Sequence, residues 1–248
     1  MKLKANTILI TGGGSGIGKA LAHRFHDLGN TVIIAGRDRA GLEKAAEGRG
    51  NVTPMMLDVA DAQSIQAFAH RVLAEHPALN IVINNAGISR YEALDRSRDL
   101  SATEETIATN LLGPIRLTNA LLDHLMKQPG AAILNVTSGL AFVPMAGAAA
   151  YSASKAALHS YTVSLREALK GKIEVIEIVP GPVATVVNVG RKNPGGDQPL
   201  SEFTDEVMAQ FEEHPTPEEI LVKRSAFARF AERDGQFDHV LQLINAGR

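Results

Sequence analysis

Short apolar, β-branched runs alternate along the chain with longer stretches in which apolar residues recur three and four positions apart. TILI (7–10), TVIIA (31–35), VTPMML (52–57), LNIVIN (79–84), AAILNV (131–136) and IEVIEIV (173–179) read as strands. Between them the helical period covers Gly16–Leu28, Arg39–Ala46, Ala62–Glu75, a long stretch around Thr103–Lys127, and about Ser152–Leu169. Two further helical stretches, Ser201–Glu213 and Pro217–Glu232, follow the last run. Strictly alternating strand and helix predicts an α/β fold of the doubly wound Rossmann type, a parallel sheet of about seven strands with helices on both faces. No composition shift marks a boundary, so residues 1–248 are expected to form one domain. The Gly- and Pro-rich segment GRKNPGGDQPL (190–200) reads as a mobile loop, with a substrate-binding loop and helices expected around 182–216.

Punctuation between the first strand and first helix changes the picture. Thr11–Gly18 reads TGGGSGIG, five glycines in eight positions. Such a cluster is worth its backbone entropy where a side chain would collide with something, and between a strand and a helix that something is a ligand phosphate at the helix N-terminus. Gly12 would permit the tight turn, Gly16 the approach of a pyrophosphate, and Gly18 close packing of the helix. The bland alternative is a turn that merely joins strand to helix. No Lys-Ser/Thr follows, which excludes a Walker A loop, and the spacing differs from GxGxxG.

Composition narrows the class. The 248 residues are 45% hydrophobic and 21% charged with a formal charge of -2, and the basic residues are scattered. No electrostatic footprint for nucleic acid or an anionic membrane is present. The absence of Cys removes disulfides, thiolate metal sites and thiol nucleophiles, and no apolar run reaches membrane length. A cytoplasmic protein acting on a small molecule is expected.

Tyr151 and Lys155 in YSASK sit four apart, so on a helix they share a face, and an ammonium there would pull the phenol pKa down from about 10. Ser138, in NVTSG at the end of a strand, belongs to the sheet edge where open α/β folds bind ligands. Singly these residues read as a half-buried Tyr, a surface Lys and a capping Ser. The eight His are dispersed, no pair of them recurs with nearby carboxylates at ligand spacing, and no metal is assigned. Asp61 and Ser101 read as helix caps, the latter in a capping box with Glu104. Phe227 and Phe230, three apart, read as core.

TGGGSGIG, the NNAG of Asn84–Gly87, Asn110 in ATNLLG, Ser138, the Tyr151/Lys155 pair and PGPVAT (180–185) occur in the order seen in the short-chain dehydrogenase/reductase family, which the first three-quarters of the chain resembles. The resemblance implies an oxidoreductase that moves a hydride between a nicotinamide and a small carbonyl or alcohol. By carry-over, Tyr151 is the general acid or base, Ser138 holds the substrate oxygen, Lys155 also binds the nicotinamide ribose, and Asn110 supports a proton-relay water. Cofactor contacts are implied for Thr11, Gly12, Gly14, Ser15, Gly16, Ile17 and Gly18, for Arg37, Asp58 and Val59, for Asn85, Ala86 and Gly87, for Tyr151 and Lys155, and for Pro180, Gly181, Val183 and Thr185. Gly36 stands where NAD-selective members carry an acid and Arg37 follows, so NADP(H) is favoured over NAD(H), with Asp38 as a nearby opposing charge. Leu140, Phe142 and Val143, residues between Asn85 and Tyr91 and the segment after Pro182 are expected to line the substrate pocket, with Arg191 and Lys192 either solvated, the default, or meeting an anionic group. A non-catalytic NADP(H)-sensing regulator is the alternative. The family also implies a homo-oligomer, dimer or tetramer, although the ending ERDGQFDHVLQLINAGR lacks the strand and Val-Asp-Gly-Gly-like turn that many members use to build a tetramer. With TPEEI before it, this tail resembles the branch associated with D-alanylation of teichoic acids.

Overall fold

In the computed structural model, which describes residues 1–185 and 196–246, seven strands form one parallel sheet in the order β3-β2-β1-β4-β5-β6-β7. The strands are β1 (Thr7–Thr11), β2 (Thr31–Gly36), β3 (Val52–Met56), β4 (Leu79–Asn84), β5 (Ala132–Val136), β6 (Glu174–Val179) and β7 (Glu219–Leu221). Helices α1 (Gly16–Asp27), α2 (Arg39–Ala46) and α7 (Leu200–Phe211) cover one face. Helices α3 (Ala62–Glu75), α5 (Gly113–Leu125) and α6 (Ala149–Ala168) cover the other, and α4 (Ser101–Ile107), α8 (Lys223–Arg229) and α9 (Phe237–Asn245) lie around the site.

Both faces of each central strand are apolar because both are covered. Along β1, Ile8 and Ile10 pack with Leu21, Phe25 and Phe203, while Leu9 between them packs with Phe68, Leu117 and Leu121 on the opposite face. The chain order reverses between β1 and β4, and the carboxyl ends of these two strands open the crevice in which such sheets bind ligands.

Three expectations change. The stretch read as one helix over Pro217–Glu232 supplies the seventh strand: β7 pairs with β6 through Glu177↔Glu219, Ile178↔Ile220 and Val179↔Leu221, and only Lys223–Arg229 is α-helical. Three residues beside a helix leave too little pattern to separate the two periods. The long helix around Thr103–Lys127 is interrupted by a π-helical turn, Ala108–Leu112, between α4 and α5. Ser101 does not cap α4; its N–H and hydroxyl both donate to Asp99, at 3.0 and 2.7 Å. Asp61 does cap α3, accepting from Gln63 N–H at 2.8 Å. The helix expected over Ser201–Glu213 is present as α7, pinned by buried Phe203, Val207 and Phe211; residues 190–195 of the expected loop, Arg191 and Lys192 among them, lie outside the described residues.

Candidate active site

The turn after β1 is shaped by what cannot fit. Gly12 has φ +69, and a Cβ there would lie 2.9 Å from Asn85 Nδ2 and 3.0 Å from Ala86 Cα. A Cβ on Gly18 would run into the Gly12 carbonyl. These contacts lock the Gly-rich turn against the Asn84–Gly87 turn, the neighbouring strand end. Thr11, expected at the cofactor, is buried instead: its hydroxyl accepts from the N–H groups of Asn85 and Ala86, each at 3.0 Å. Gly14, half-buried, packs against the backbone of Gly41 and Leu42 in α2. Ser15 occupies the N-cap of α1 without a side-chain cap bond, and no acidic residue stands in the first turn. A helix N-terminus of this kind, floored by glycine, fits the pyrophosphate of a dinucleotide.

From this turn a cavity of about 390 Å³ runs across the strand ends. Gly12, Ser15, Gly16 and Ile17 line one end, and Asn85, Ala86 and Gly87 its floor. Ser138, Tyr151 and Lys155 form the far wall, with Pro180, Gly181, Val183 and Thr185 alongside. Arg37, Asp58 and Val59 are outside it, at the carboxyl ends of β2 and β3 on the same sheet edge. Arg37 extends to Glu105 of α4, 3.5 Å away, and Arg90 reaches the other oxygen of that carboxylate at the same distance. Asp58 accepts from Ala60 N–H at 2.9 Å. Asp38, the opposing charge beside Arg37, hangs its carboxylate over Gly41 in the first turn of α2.

Tyr151 and Lys155 share a face of α6, with Lys155 Nζ 5.7 Å from the Tyr151 ring centroid. Lys155 is buried and its ammonium donates to the Val136 carbonyl at 2.7 Å. Burial pushes its pKa down to about 8, against the attraction of Glu177, which pulls it up. Ser138 Oγ accepts from Leu140 N–H at 3.1 Å, which holds the hydroxyl at the mouth of β5. Asn110 lies in the π-helical turn, fully buried; its side-chain amide pairs with both the N–H and the C=O of Ile88, at 2.9 and 2.8 Å, and donates to Ser154 Oγ at 3.1 Å. Asn110 thereby fixes the chain leaving Gly87 to the helix that carries Tyr151 and Lys155. A π turn at such a position is a frequent companion of functional sites.

The chain belongs to the short-chain dehydrogenase family. The family model described as short chain dehydrogenase matches residues 6–194. An uncharacterized oxidoreductase, DltE of Bacillus subtilis, is 44% identical over 190 residues, 76% of this chain and 75% of that protein. EphD of Mycobacterium tuberculosis, a probable oxidoreductase, is 36% identical over 201 residues, 77% of this chain but only 33% of that longer protein. Among solved structures, a short chain dehydrogenase from Burkholderia cenocepacia in complex with NADP superposes with a TM-score of 0.83 at 26% identity, covering 99% of this chain and 100% of that one. This short-chain dehydrogenase is therefore an oxidoreductase with a nicotinamide-binding Rossmann fold. The expected resemblance to the DltE branch is met by the Bacillus protein.

The substrate end of this dehydrogenase differs from the sequence expectation. Leu140 lines the cavity, but Val143 is fully buried with Ala228, Ala231 and Val240, and Phe142 stacks edge-on against His159 at 4.8 Å and under Arg229 at 4.7 Å. Phe227, read as core, is 46% exposed and lines the cavity with Met145, Leu243 and Ile244. The last two come from α9, which Asn245 ties to the segment after Ser138 by accepting from Ala146 N–H at 2.9 Å. An amphipathic period shows that one stripe of a helix is covered, not whether core or ligand covers it.

Proposed function

We propose that this short-chain dehydrogenase is an NADP(H)-dependent reductase of small, apolar or mixed carbonyl compounds, with Tyr151 as proton donor and the reverse alcohol oxidation as its partner reaction. One observation carries the reading: Ser138, Tyr151 and Lys155 line the same cavity as the glycine turn that fits a dinucleotide pyrophosphate. The nicotinamide supplies the hydride that reduces the carbonyl carbon. Ser138 holds the substrate oxygen, and Tyr151 donates its phenolic proton to that oxygen as negative charge develops on it. Lys155, a cation among buried groups, stabilises the phenolate left behind and binds the ribose hydroxyls. Leu140, Met145, Phe227, Leu243 and Ile244 give the substrate an apolar wall. Preference for the phosphorylated cofactor is supported by Gly36 in place of an acid and by Arg37 at the end of β2, with the exposed Asp38 carboxylate turned onto Gly41 in the first turn of α2.

A screen of carbonyl compounds with NADPH, followed by Tyr151→Phe on whichever is reduced, tests this. Phe keeps the ring and removes the proton, so turnover should fall about 10²- to 10⁴-fold while NADPH affinity holds. Lys155→Met should damage both. In the oxidation direction the rate should rise as Tyr151 loses its proton, below the free-phenol value of about 10, and fall again as Lys155 loses its own near about 8. Near-full activity in Tyr151→Phe overturns the mechanism. Tight NADPH binding with no turnover of any carbonyl or alcohol would favour a cofactor sensor on the same fold.

A further inference from the structure

Strand β6 carries a carboxylate inside an otherwise apolar run. Glu177 is 0% exposed, and its neighbours Ile176 and Ile178 belong to the core. Burying an ionised carboxylate costs several kcal/mol unless hydrogen bonds and opposite charge offset it. Both are present. Thr137 Oγ1 donates to Glu177 Oε1 at 2.6 Å, and His159 Nδ1 lies 2.8 Å from Oε2.

The charged and titratable groups facing Glu177 are Lys155 and His159 from α6, Arg229 from α8, and Glu219 from β7, its register partner. Ligand atoms of His159, Glu177 and Glu219 lie within 4.8 Å of one another, a spacing compatible with a cation. Arg229 already donates to Glu219 through Nε and Nη2, both at 2.9 Å, so a guanidinium neutralises that second carboxylate. The grouping is two hydrogen-bonded sets side by side, Thr137–Glu177–His159 and Arg229–Glu219.

Its connection to the site runs through Thr137. This residue stands between Val136, whose carbonyl holds the Lys155 ammonium, and Ser138. One buried side chain thus grips the strand end that presents both groups. On α6, His159 follows Lys155 by one helical turn, so the carboxylate that meets His159 lies along the face carrying Lys155.

Given the reading of Tyr151 and Lys155 above, on which this rests, we propose that Glu177 is a positioning residue of the proton-transfer site. Tied to Thr137 and His159, it fixes the end of β5 and supplies the buried counter-charge that keeps Lys155 an ammonium. Desolvation alone would drive the proton off Lys155 at lower pH, and a neutral amine would no longer stabilise the Tyr151 phenolate.

A heteronuclear NMR titration of the lysine side chains tests this without substrate, with Lys155→Met assigning the Lys155 signal. Glu177→Gln keeps the shape, can still accept from Thr137 and removes the charge. The Lys155 midpoint should drop by about one pH unit or more from its position near 8. Glu177→Asp, which restores the charge, should bring it back toward the parent value. An unchanged midpoint in a folded Glu177→Gln protein, as a merely structural carboxylate predicts, overturns the proposal. Should Glu177→Gln not fold, Glu177→Met replaces it, an uncharged side chain of similar volume in the same buried place: the Lys155 midpoint should again drop, and an unchanged midpoint overturns the proposal. Tyr151→Phe, assayed in parallel, separates the two readings. Full turnover in that variant defeats the proton-donor reading, whereas an inactive Tyr151→Phe beside an unmoved Lys155 midpoint defeats Glu177 alone.

Discussion

Arg37 leaves β2 with its guanidinium about half exposed and paired to Glu105 at 3.5 Å, and Arg90 shares the same carboxylate. Exposed ion pairs of this kind are worth under about 1 kcal/mol, whereas a charge-assisted bond to phosphate is worth about 1.5 to 3 kcal/mol. A 2′-phosphate can therefore take Arg37 from Glu105. Arg37→Ala should weaken NADPH binding by about 10- to 100-fold and leave NADH nearly untouched, while Glu105→Gln should tighten NADPH slightly. Titration by nicotinamide fluorescence reads all three proteins, and equal affinity of the unmodified chain for both cofactors would sink the preference. Arg37 was legible from its place after the second strand. Glu105 was not, because the pairing spans 68 residues and depends on where α4 comes to rest.

Helix α6 carries Tyr151 in its first turn, yet its N-cap is Ala148, which offers no side-chain acceptor. Glu92, from the segment after Gly87, fills that role: Oε1 accepts from Ala150 N–H at 2.7 Å, and Oε2 accepts from Arg98 at 2.7 Å and Thr103 at 2.8 Å. Burial pushes the Glu92 carboxyl up, but these three donors outweigh it and hold the pKa below the usual carboxylate range. Glu92→Ala should cost about 2 to 3 kcal/mol at neutral pH. Because the folded value is depressed, that stabilisation is present above the unfolded value of about 4.3 and is lost as pH falls through the folded one. Urea unfolding curves of the two proteins should accordingly differ at pH 7 and draw together in acid. A constant gap across this range would show that the carboxylate charge is not what holds the helix.

Across the whole molecule the two faces of the sheet are closed by different helices, and α7 seals one of them over α1. Phe203 is fully buried there, and the rings of Phe25 and Phe211 meet at 5.9 Å. Phe203→Ala should cost about 3 to 5 kcal/mol through lost burial and the cavity left behind. Phe227, on the same kind of apolar stripe but facing the cavity, should behave oppositely. Phe227→Ala should change stability by no more than about 0.5 kcal/mol and raise KM for the reduced substrate. Denaturation and steady-state kinetics on the pair distinguish a core aromatic from a pocket aromatic. A Phe227→Ala protein as unstable as Phe203→Ala would return that residue to the core.

The sequence by itself determined what is local or periodic. The alternation of strand and helix set a parallel, doubly wound sheet, because continuous apolar strands need cover on both faces. The glycine cluster marked a tight, closely packed turn, since a Cβ at Gly12, with φ +69, would collide with Asn85 and Ala86, and the spacing of Tyr151 and Lys155 placed them on one helical face. Tertiary structure decided what depends on neighbours distant in sequence. It turned part of the Pro217–Glu232 segment into a strand, because β6 offered an open edge for β7. It buried Val143, set half-buried Phe142 against His159 and Arg229 and exposed Phe227, and it brought Thr137, His159 and Glu177 together from the end of β5, from α6 and from β6. A single strand or helix records which of its positions are covered; the identity of the covering group exists only after the crossovers have closed.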